Sequence, residues 1–155
     1  MEFMTDVLTG SLVLVRHAKA ESGEGQEDHA RELTSRGRTA AAEAGRWLAT
    51  AAPAPDRVWC SSAARAVQTW RAIEPSLPAV VDPVVDRALY LAGPHDILEW
   101  LAGSPGATSV VVGHNPTVEQ VLGAVTGEPR GVRPGAVAVV DLDTGLLADF
   151  WEPRR

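Results

Sequence analysis

The chain has 155 residues, of which 45% are hydrophobic and 22% charged, a balance typical of one globular domain and not of a disordered chain. A formal net charge of −6 argues against a broad nucleic-acid surface, because phosphate backbones attract an excess of Lys and Arg. No apolar run approaches the roughly 20 residues of a membrane span, and MEFMTDVLTG lacks the basic and apolar regions of a signal peptide, so we expect a cytoplasmic protein without nucleic-acid or membrane partners.

The first half of the chain predicts two strands that are each followed by a helix. The run SLVLVR is nearly continuous in apolar residues, which is typical of a strand covered on both faces. Thr34 is a suitable N-cap for the alanine-rich segment after it, and Ser61 or Ser62 is a suitable cap for the next helix. We expect strands at Ser11–Arg16 and Arg57–Cys60, and helices from Thr34 to about Thr50 and from Ala63 to about Glu74.

The second half repeats this alternation and ends in a hairpin. A strand near the middle is interrupted by Pro83, which favours a place at the edge of the sheet. The run SVVVG is the clearest strand of the sequence, and Asn115 or Thr117 caps the helix after it, which Gly127 ends. We expect strands at Val80–Val85, Ser109–Gly113, Ala136–Leu142 and Leu146–Trp151, and helices at Pro94–Ala102 and Thr117–Val125.

Strands that alternate with helices predict an α/β fold, a three-layer α/β/α sandwich with a mostly parallel central sheet. The final hairpin would add antiparallel strands. Residues 11–155 are expected to form the single domain, and residues 1–10 an N-terminal extension that is in part a vector remnant. In such sheets ligands bind beyond the carboxyl ends of the strands, which is where chemistry is expected.

Three segments directly follow a predicted strand, and they are rich in cationic and titratable side chains. They supply Arg16 and His17 after the first strand, Arg65 after the second, and His114 with Asn115 after the fourth. Two of the four histidines of the chain therefore lie at one edge of the sheet, together with two arginines.

The same segments resemble the histidine phosphatase superfamily, whose fold is that of phosphoglycerate mutase. LVLVRHAKA is similar to the family's opening Arg-His signature, with Ala18 where Gly is usual, and RELTSRG, VWCSSAARAVQT, DRALY and VVVGHNPTVEQ follow in the family's order. The combination is most similar to the SixA-type phosphohistidine phosphatases. The resemblance spans Leu12 to about Gly127, which is most of the chain.

The resemblance implies a role for each charged residue, and phosphoryl chemistry explains the residue types. His17 would be the nucleophile that forms a phosphohistidine intermediate, its other ring nitrogen donating to a backbone carbonyl. Arg16 and Arg65 would bind the phosphate through their guanidinium groups, which are planar, always charged and able to donate two hydrogen bonds at once. His114 would donate a hydrogen bond to the phosphate and be cationic in the loaded site.

Further contacts with the substrate are expected from three places. The resemblance implies one from Arg31, which matches the family's Arg-x-Leu-Thr position. Asn115 is predicted to bind substrate, because a helix beginning at Asn115 to Thr117 would point free N–H groups at the anion. Members that act on phosphate esters carry an acid after the third strand, where Asp86 is the first candidate and Glu99 and Asp96 come next.

Other kinds of site are weighed against this one. Cys60 and Arg65 enclose four residues without glycine, one fewer than the loop of cysteine-dependent phosphatases, so Cys60 is expected to be a buried strand residue. His29 and His95 are expected to be solvated. No His-x-His pair supports a metal site, and we expect neither metal nor cofactor.

The sequence therefore predicts a metal-independent phosphatase whose substrate is phosphohistidine in a protein or a small phosphorylated compound. Only about 18 residues separate Tyr90 from the fourth strand, too few for the extra helices that cover the pocket in larger members. An open site favours the protein substrate. A phosphomonoesterase for small metabolites and an inactive phosphate-binding module remain as alternatives, and the oligomeric state is left open.

Overall fold

A computed structural model describes residues 7–79 and 81–155, whose strands form one six-stranded sheet in the order β3-β2-β4-β1-β5-β6. The first four strands of this order are parallel, while β5 runs antiparallel to β1 and β6 antiparallel to β5. The predicted parallel sheet with a terminal antiparallel hairpin is thus confirmed. The strands are β1 (Ser11–Arg16), β2 (Arg57–Ser61), β3 (Val84–Asp86), β4 (Thr108–Gly113), β5 (Val137–Asp141) and β6 (Leu146–Trp151).

Helices cover both faces of the sheet, which confirms the three layers. On β1, Leu12 and Leu14 pack into one core, and Val13 and Val15 into the core on the opposite face, because successive side chains of a strand point to opposite sides. The α-helices are α1 (Ser35–Ala51), α2 (Ala64–Ile73), α3 (Arg87–Leu91), α4 (Pro94–Ala102) and α5 (Thr117–Thr126), with α1 and α2 on one face and α4 and α5 on the other.

Two predicted helix caps have different outcomes. Thr34 caps α1, since its hydroxyl accepts from the backbone N–H of Gly37 at 3.0 Å. The cap predicted for α2 is wrong, because Ala63 holds the N-cap position without a side-chain hydrogen bond. Ser61 and Ser62 instead place their hydroxyls beside His114 and His29.

The region around the third strand departs most from prediction. β3 begins after Pro83 and covers only Val84–Asp86, because proline has no N–H to donate to the ladder. Val80, the first residue of the predicted strand, lies outside the described residues. The short helix α3 was not predicted, and Asp86 caps it by accepting from the N–H of Ala88 at 2.9 Å.

The segment between Tyr90 and β4 contains α4 as its principal element, as predicted, with no inserted helical layer. Leu8, from the predicted N-terminal extension, is buried in the same core as Leu12, and the boundary at residue 11 stays a prediction. Within residues 7–79 and 81–155, no helix has the length and apolar composition needed to cross a bilayer.

Candidate active site

Strand register brings the predicted site residues to one edge of the sheet. Arg16, the last residue of β1, is paired with Gly113, the last residue of β4, so the next residues along each chain, His17 and His114, emerge side by side. Their ring centroids are 5.2 Å apart. β2 lies on the other side of β4 and ends at the same level, where Ser61 leads into α2.

Hydrogen bonds define the tautomer of His17. Its Nδ1 lies 2.8 Å from the carbonyl oxygen of Ala18, which can only accept, so Nδ1 carries the proton. The Nε of Arg65 donates to Nε2 of His17 at 3.3 Å. Nε2 therefore carries a lone pair, and it is the nucleophilic atom that this arrangement presents. The expected carbonyl partner of His17 is that of Ala18.

The charge state of His17 is set by burial and by the arginines around it. Burial, together with the positive charges of Arg65, Arg16 and Arg31, lowers its pKa from 6.5 to about 4, while the bond to Ala18 acts in the opposite direction. The imidazole is consequently neutral at physiological pH. A neutral imidazole has the free electron pair that attack on phosphorus requires.

His114 is held by Ser61 and is also neutral in the unloaded site. Burial, followed by His17, which is charged only at comparably low pH, and by the charge of Arg65, lowers its pKa to about 3. Its Nε2 lies 2.7 Å from the hydroxyl of Ser61, which accepts from the N–H of Ala63. The hydroxyl of Ser61 can donate its proton to Nε2, a geometry in which the ring proton of His114 lies on Nδ1. Nδ1 is buried and meets no hydrogen-bonding partner among residues 7–79 and 81–155.

Arg65 and Arg16 hold their charges beside the two histidines. Arg65 is only 5% exposed and is the second residue of α2, so the positive end of that helix dipole lies at the same edge. Arg16 donates through one terminal nitrogen to the carbonyl of Val132 at 2.9 Å. Its Nε is buried and has no partner in the part of the chain that the structure describes, and burial lowers the pKa of Arg16.

Asp28 is a member of this cluster that the sequence analysis missed. Its carboxylate accepts from Arg65 at 2.9 Å, from Arg31 at 2.9 Å and from the hydroxyl of Tyr90 at 2.6 Å. Its backbone oxygen also accepts from Arg65 at 2.7 Å. Bonds from Tyr90, then Arg31 and Arg65, hold the pKa of this carboxyl well below its usual range, so Asp28 stays ionised. The one local pattern that pointed to Asp28 was its position three residues before Arg31, a spacing that allows an ion pair.

Asp86 and Asn115 are both occupied by local structure. Asp86 caps α3, and its backbone oxygen accepts from the N–H of Ser62 at 3.3 Å. Asn115 donates to Val132 at 3.0 Å, the same carbonyl that Arg16 uses, and its oxygen accepts from the N–H of Glu119 at 3.3 Å. A catalytic role for Asp86 and a substrate contact for Asn115 stay predictions.

The expectation that α5 would offer free N–H groups to an anion is wrong for Val118 and Glu119 in its first turn. The N–H of Val118 donates to the carbonyl of His114 at 2.8 Å, and that of Glu119 to the side chain of Asn115.

His29 also differs from expectation. It is half-buried, contacts the ring of Tyr90 at a centroid distance of 4.8 Å and lies 2.7 Å from the hydroxyl of Ser62. His95 is exposed, as predicted.

The cysteine and metal alternatives find no support in the geometry. Cys60 is buried, as predicted, and burial raises the pKa of its thiol to about 12, which leaves it without a thiolate at physiological pH. Over residues 7–79 and 81–155, no three His, Cys, Asp or Glu side chains are grouped so as to hold a metal ion. The site presents a neutral imidazole among fixed cations, an arrangement suited to a tetrahedral oxyanion.

Comparisons with known proteins agree with this chemistry. A model described as histidine phosphatase superfamily (branch 1) matches residues 12–90. The Mycobacterium tuberculosis protein Rv1276c, which is uncharacterized, is 38% identical over 123 residues, covering 76% of this chain and 75% of its own. A crystal structure from Agrobacterium tumefaciens matches with a TM-score of 0.84 and 31% identity, covering 93% of this chain and 99% of that one. That protein has been assigned as a phosphohistidine phosphatase SixA. The fold also matches the protein histidine phosphatase SixA complexed with tungstate, with a TM-score of 0.75, 23% identity and coverage of 92% and 94%.

The low pKa values give a test of the charge state. We expect the His17 imidazole to titrate near pH 4 when its ring protons are followed by heteronuclear NMR, with the assignment made by comparison with His17→Ala. Because the pKa is lowered from 6.5, the unfolded chain takes up this proton first as pH falls. The free energy of unfolding should therefore decrease between about pH 6.5 and pH 4, and less so in His17→Ala. A His17 midpoint near 6.5 would contradict the geometry.

Asp28 gives a second test. Asp28→Asn removes the charge that holds Arg65 and Arg31, and charge-assisted hydrogen bonds are worth about 1.5–3 kcal/mol before screening of this half-exposed group. We expect kcat/KM for an aryl phosphate to fall on the order of tenfold. The matched control is Asp149→Asn on β6, an exposed carboxylate on the edge strand, which should leave the rate unchanged. Activity that is unchanged or raised in Asp28→Asn would show that Asp28 does not support Arg65.

Proposed function

This chain belongs to the histidine phosphatase superfamily and is of the SixA type, and we propose that it removes the phosphoryl group from phosphohistidine in a protein. Membership of the family makes it a phosphohydrolase. The proposal adds the substrate, a covalent intermediate on His17, and activity that needs no metal or cofactor.

The observation that carries the proposal is a pair of buried nitrogen atoms next to His17 that meet no hydrogen-bonding partner among residues 7–79 and 81–155. They are Nε of Arg16 and Nδ1 of His114, and the ring of His114 lies 5.2 Å from that of His17, whose Nε2 carries a lone pair. Buried donors are normally satisfied, because an unpaired one costs about 1–3 kcal/mol. The oxygens of a phosphoryl group would satisfy both donors while the phosphorus faces Nε2.

The reaction proceeds in two displacements. Nε2 of His17 attacks phosphorus, and the bond to the leaving nitrogen of the substrate breaks as that imidazole departs with its proton. The cations Arg16 and Arg65 stabilise the charge that spreads over the equatorial oxygens. Water then attacks the phosphohistidine, inorganic phosphate leaves, and His17 returns to its neutral form with Nδ1 bound to Ala18. His114 donates to a phosphoryl oxygen through both steps.

Two features favour a phosphorus–nitrogen substrate carried by a protein. Asp86, the first candidate for a general acid, accepts the N–H of Ala88, so its carboxylate serves the helix. A leaving imidazole can carry its own proton and needs no acid, unlike an alcohol. The short segment between Tyr90 and β4 supports access for a protein-borne phosphohistidine.

The remaining predictions belong to the same proposal. Arg31, whose Nε donates to the carbonyl of Glu21 and whose terminal nitrogen donates to Asp28, would contact the substrate after exchanging one of these partners. Asn115 would act through the Val132 carbonyl that it shares with Arg16. A cytoplasmic location, the absence of nucleic-acid partners and independence of metal stay predictions.

The covalent intermediate is tested by labelling. Reaction with a phosphorylated substrate should leave a phosphoryl group on the enzyme that is labile in acid and stable in base, and His17→Ala should lose both the label and turnover. Cys60→Ser is the control and should keep both, because the buried thiol takes no part. Excess chelator should leave turnover intact. A tenth or more of wild-type activity in His17→Ala would refute the mechanism, as would loss on chelation with rescue by one divalent metal.

The substrate class is tested through the leaving group. Phosphohistidine, an aryl phosphate and an alkyl phosphate should be compared in the wild type and in Asp86→Asn. We expect phosphohistidine to be hydrolysed fastest, and its rate of hydrolysis to be nearly the same in Asp86→Asn as in the wild type. If Asp86 donates a proton to esters, the alkyl phosphate should slow by roughly 10²–10⁴-fold and the aryl phosphate by far less. Faster turnover of sugar or glycerate phosphates than of phosphohistidine would favour the phosphomonoesterase alternative.

A further inference from the structure

A groove of about 640 Å³ lies between the start of α1, the loop before β5 and the C-terminal residues. We call it the basic groove, because five of its lining residues are cationic and one is acidic. The cationic residues are Lys19, Arg36, Arg133, Arg154 and Arg155, and the acidic one is Glu43. This concentration of positive charge contrasts with the formal net charge of −6 of the whole chain.

The basic groove lies at the same edge of the sheet as His17. β5 runs antiparallel to β1 with Val137 opposite Val15, so the loop before β5 lies where β1 ends. β6 returns antiparallel to β5 and brings Trp151 opposite Val137, so the C-terminal residues reach this edge too. The groove therefore lies on the side of His17 that faces β5. His114 and Arg65 lie on the opposite side of His17, toward β4 and α2.

Backbone hydrogen bonds connect the residues around the basic groove to the segment that contains His17. The N–H of Gly135, next to the lining residue Pro134, donates to the carbonyl of Arg16 at 3.1 Å and to that of His17 at 2.9 Å. Lys19 follows His17 by two residues, and its carbonyl accepts from Thr34 at the start of α1. A ligand in the groove would thus lie within a few residues of the phosphoryl site.

The cations of the basic groove are largely free of acidic partners. Among residues 7–79 and 81–155, Arg133 is the one groove cation with a carboxylate oxygen within 4.0 Å, that of Glu152 at 3.7 Å. Lys19, Arg36, Arg154 and Arg155 are exposed. Exposed cations that are not neutralised within the protein attract acidic partners and raise the rate at which they associate. A longer polyanion would meet the negative charge of the remaining surface, which favours a short acidic segment.

We propose that the basic groove docks an acidic segment of the phosphorylated protein, so that the phosphohistidine beside that segment reaches His17. This inference rests on the proposed function and names the kind of protein that the site selects. The arginines at the site recognise the phosphoryl group, and the groove recognises the sequence or surface next to it. Discrimination among phosphohistidine proteins would then depend on the charge flanking the phosphorylated histidine.

The test uses two phosphohistidine peptides that differ only in their flanking residues, Glu in one and Lys in the other, together with free phosphohistidine. We expect the wild type to hydrolyse the Glu peptide with a kcat/KM at least tenfold above that of the Lys peptide, and the ratio to shrink at high salt. Lys19→Glu/Arg36→Glu should abolish or reverse the preference and leave turnover of free phosphohistidine within about twofold. Arg46→Glu, which reverses one charge at an exposed position about 15 Å further along α1, is the control; compared with Arg36→Glu alone, it should retain the preference.

Binding is measured separately so that failure of the docking and failure of the proposed function can be told apart. A fluorescein-labelled Glu-rich peptide without phosphate should bind the wild type and Arg46→Glu, and bind Lys19→Glu/Arg36→Glu at least tenfold more weakly. If the wild type hydrolyses phosphohistidine but shows no charge preference and no peptide binding, the docking inference is wrong. If the peptide binds at the groove but no phosphohistidine substrate is hydrolysed, the proposed function is wrong. Tighter binding of a labelled oligodeoxynucleotide than of the peptide would also overturn the docking inference.

Discussion

The parallel pairing of β1 with β4 positions the chemistry of this protein. With Arg16 opposite Gly113, the two chains leave the sheet at the same level, and the next residue of each is a histidine. Side chains on these strands alternate between two separate cores, so a slip of one residue would turn Leu12 and Leu14 away from α4 and α5. The burial of apolar side chains on both faces therefore maintains the 5.2 Å separation of the two imidazole rings.

Charge around His17 follows from this placement. Three arginines lie close enough to lower the pKa of one neutral imidazole, and each is restrained by a carbonyl or a carboxylate. Fixed cations of this kind need no reorganisation when charge develops on the substrate, which is the main source of catalytic power in phosphoryl transfer. Nε of Arg16 and Nδ1 of His114 are buried and meet no hydrogen-bonding partner within residues 7–79 and 81–155, and an oxyanion would satisfy donors at these positions.

Local patterns predicted the elements that carry the nucleophile well, and long-range contacts explain what they missed. The apolar runs of β1 and β4 and the cap at Thr34 are each determined by a few consecutive residues. Helix α3 has five residues, too few for a helical periodicity to be visible. Asp28 is separated from Arg65 by 37 residues and from Tyr90 by 62, so no local pattern could link them. The first turn of α5 was misjudged because the side chain of Asn115 and the carbonyl of His114 accept its N–H groups.

The contacts of Asp28 have a further consequence for the long connection between β1 and α1. This connection is fastened to the sheet edge partly by Asp28, whose side chain is 51% exposed and whose main partner is Arg65. Arg65 also donates to His17, so under the proposed function the guanidinium that restrains the connection would also bind the phosphoryl group. Order in the connection and affinity for the substrate are therefore thermodynamically linked through a single set of donors. Substrate binding would then shift the ordering equilibrium of the connection by the same factor by which ordering of the connection shifts substrate affinity.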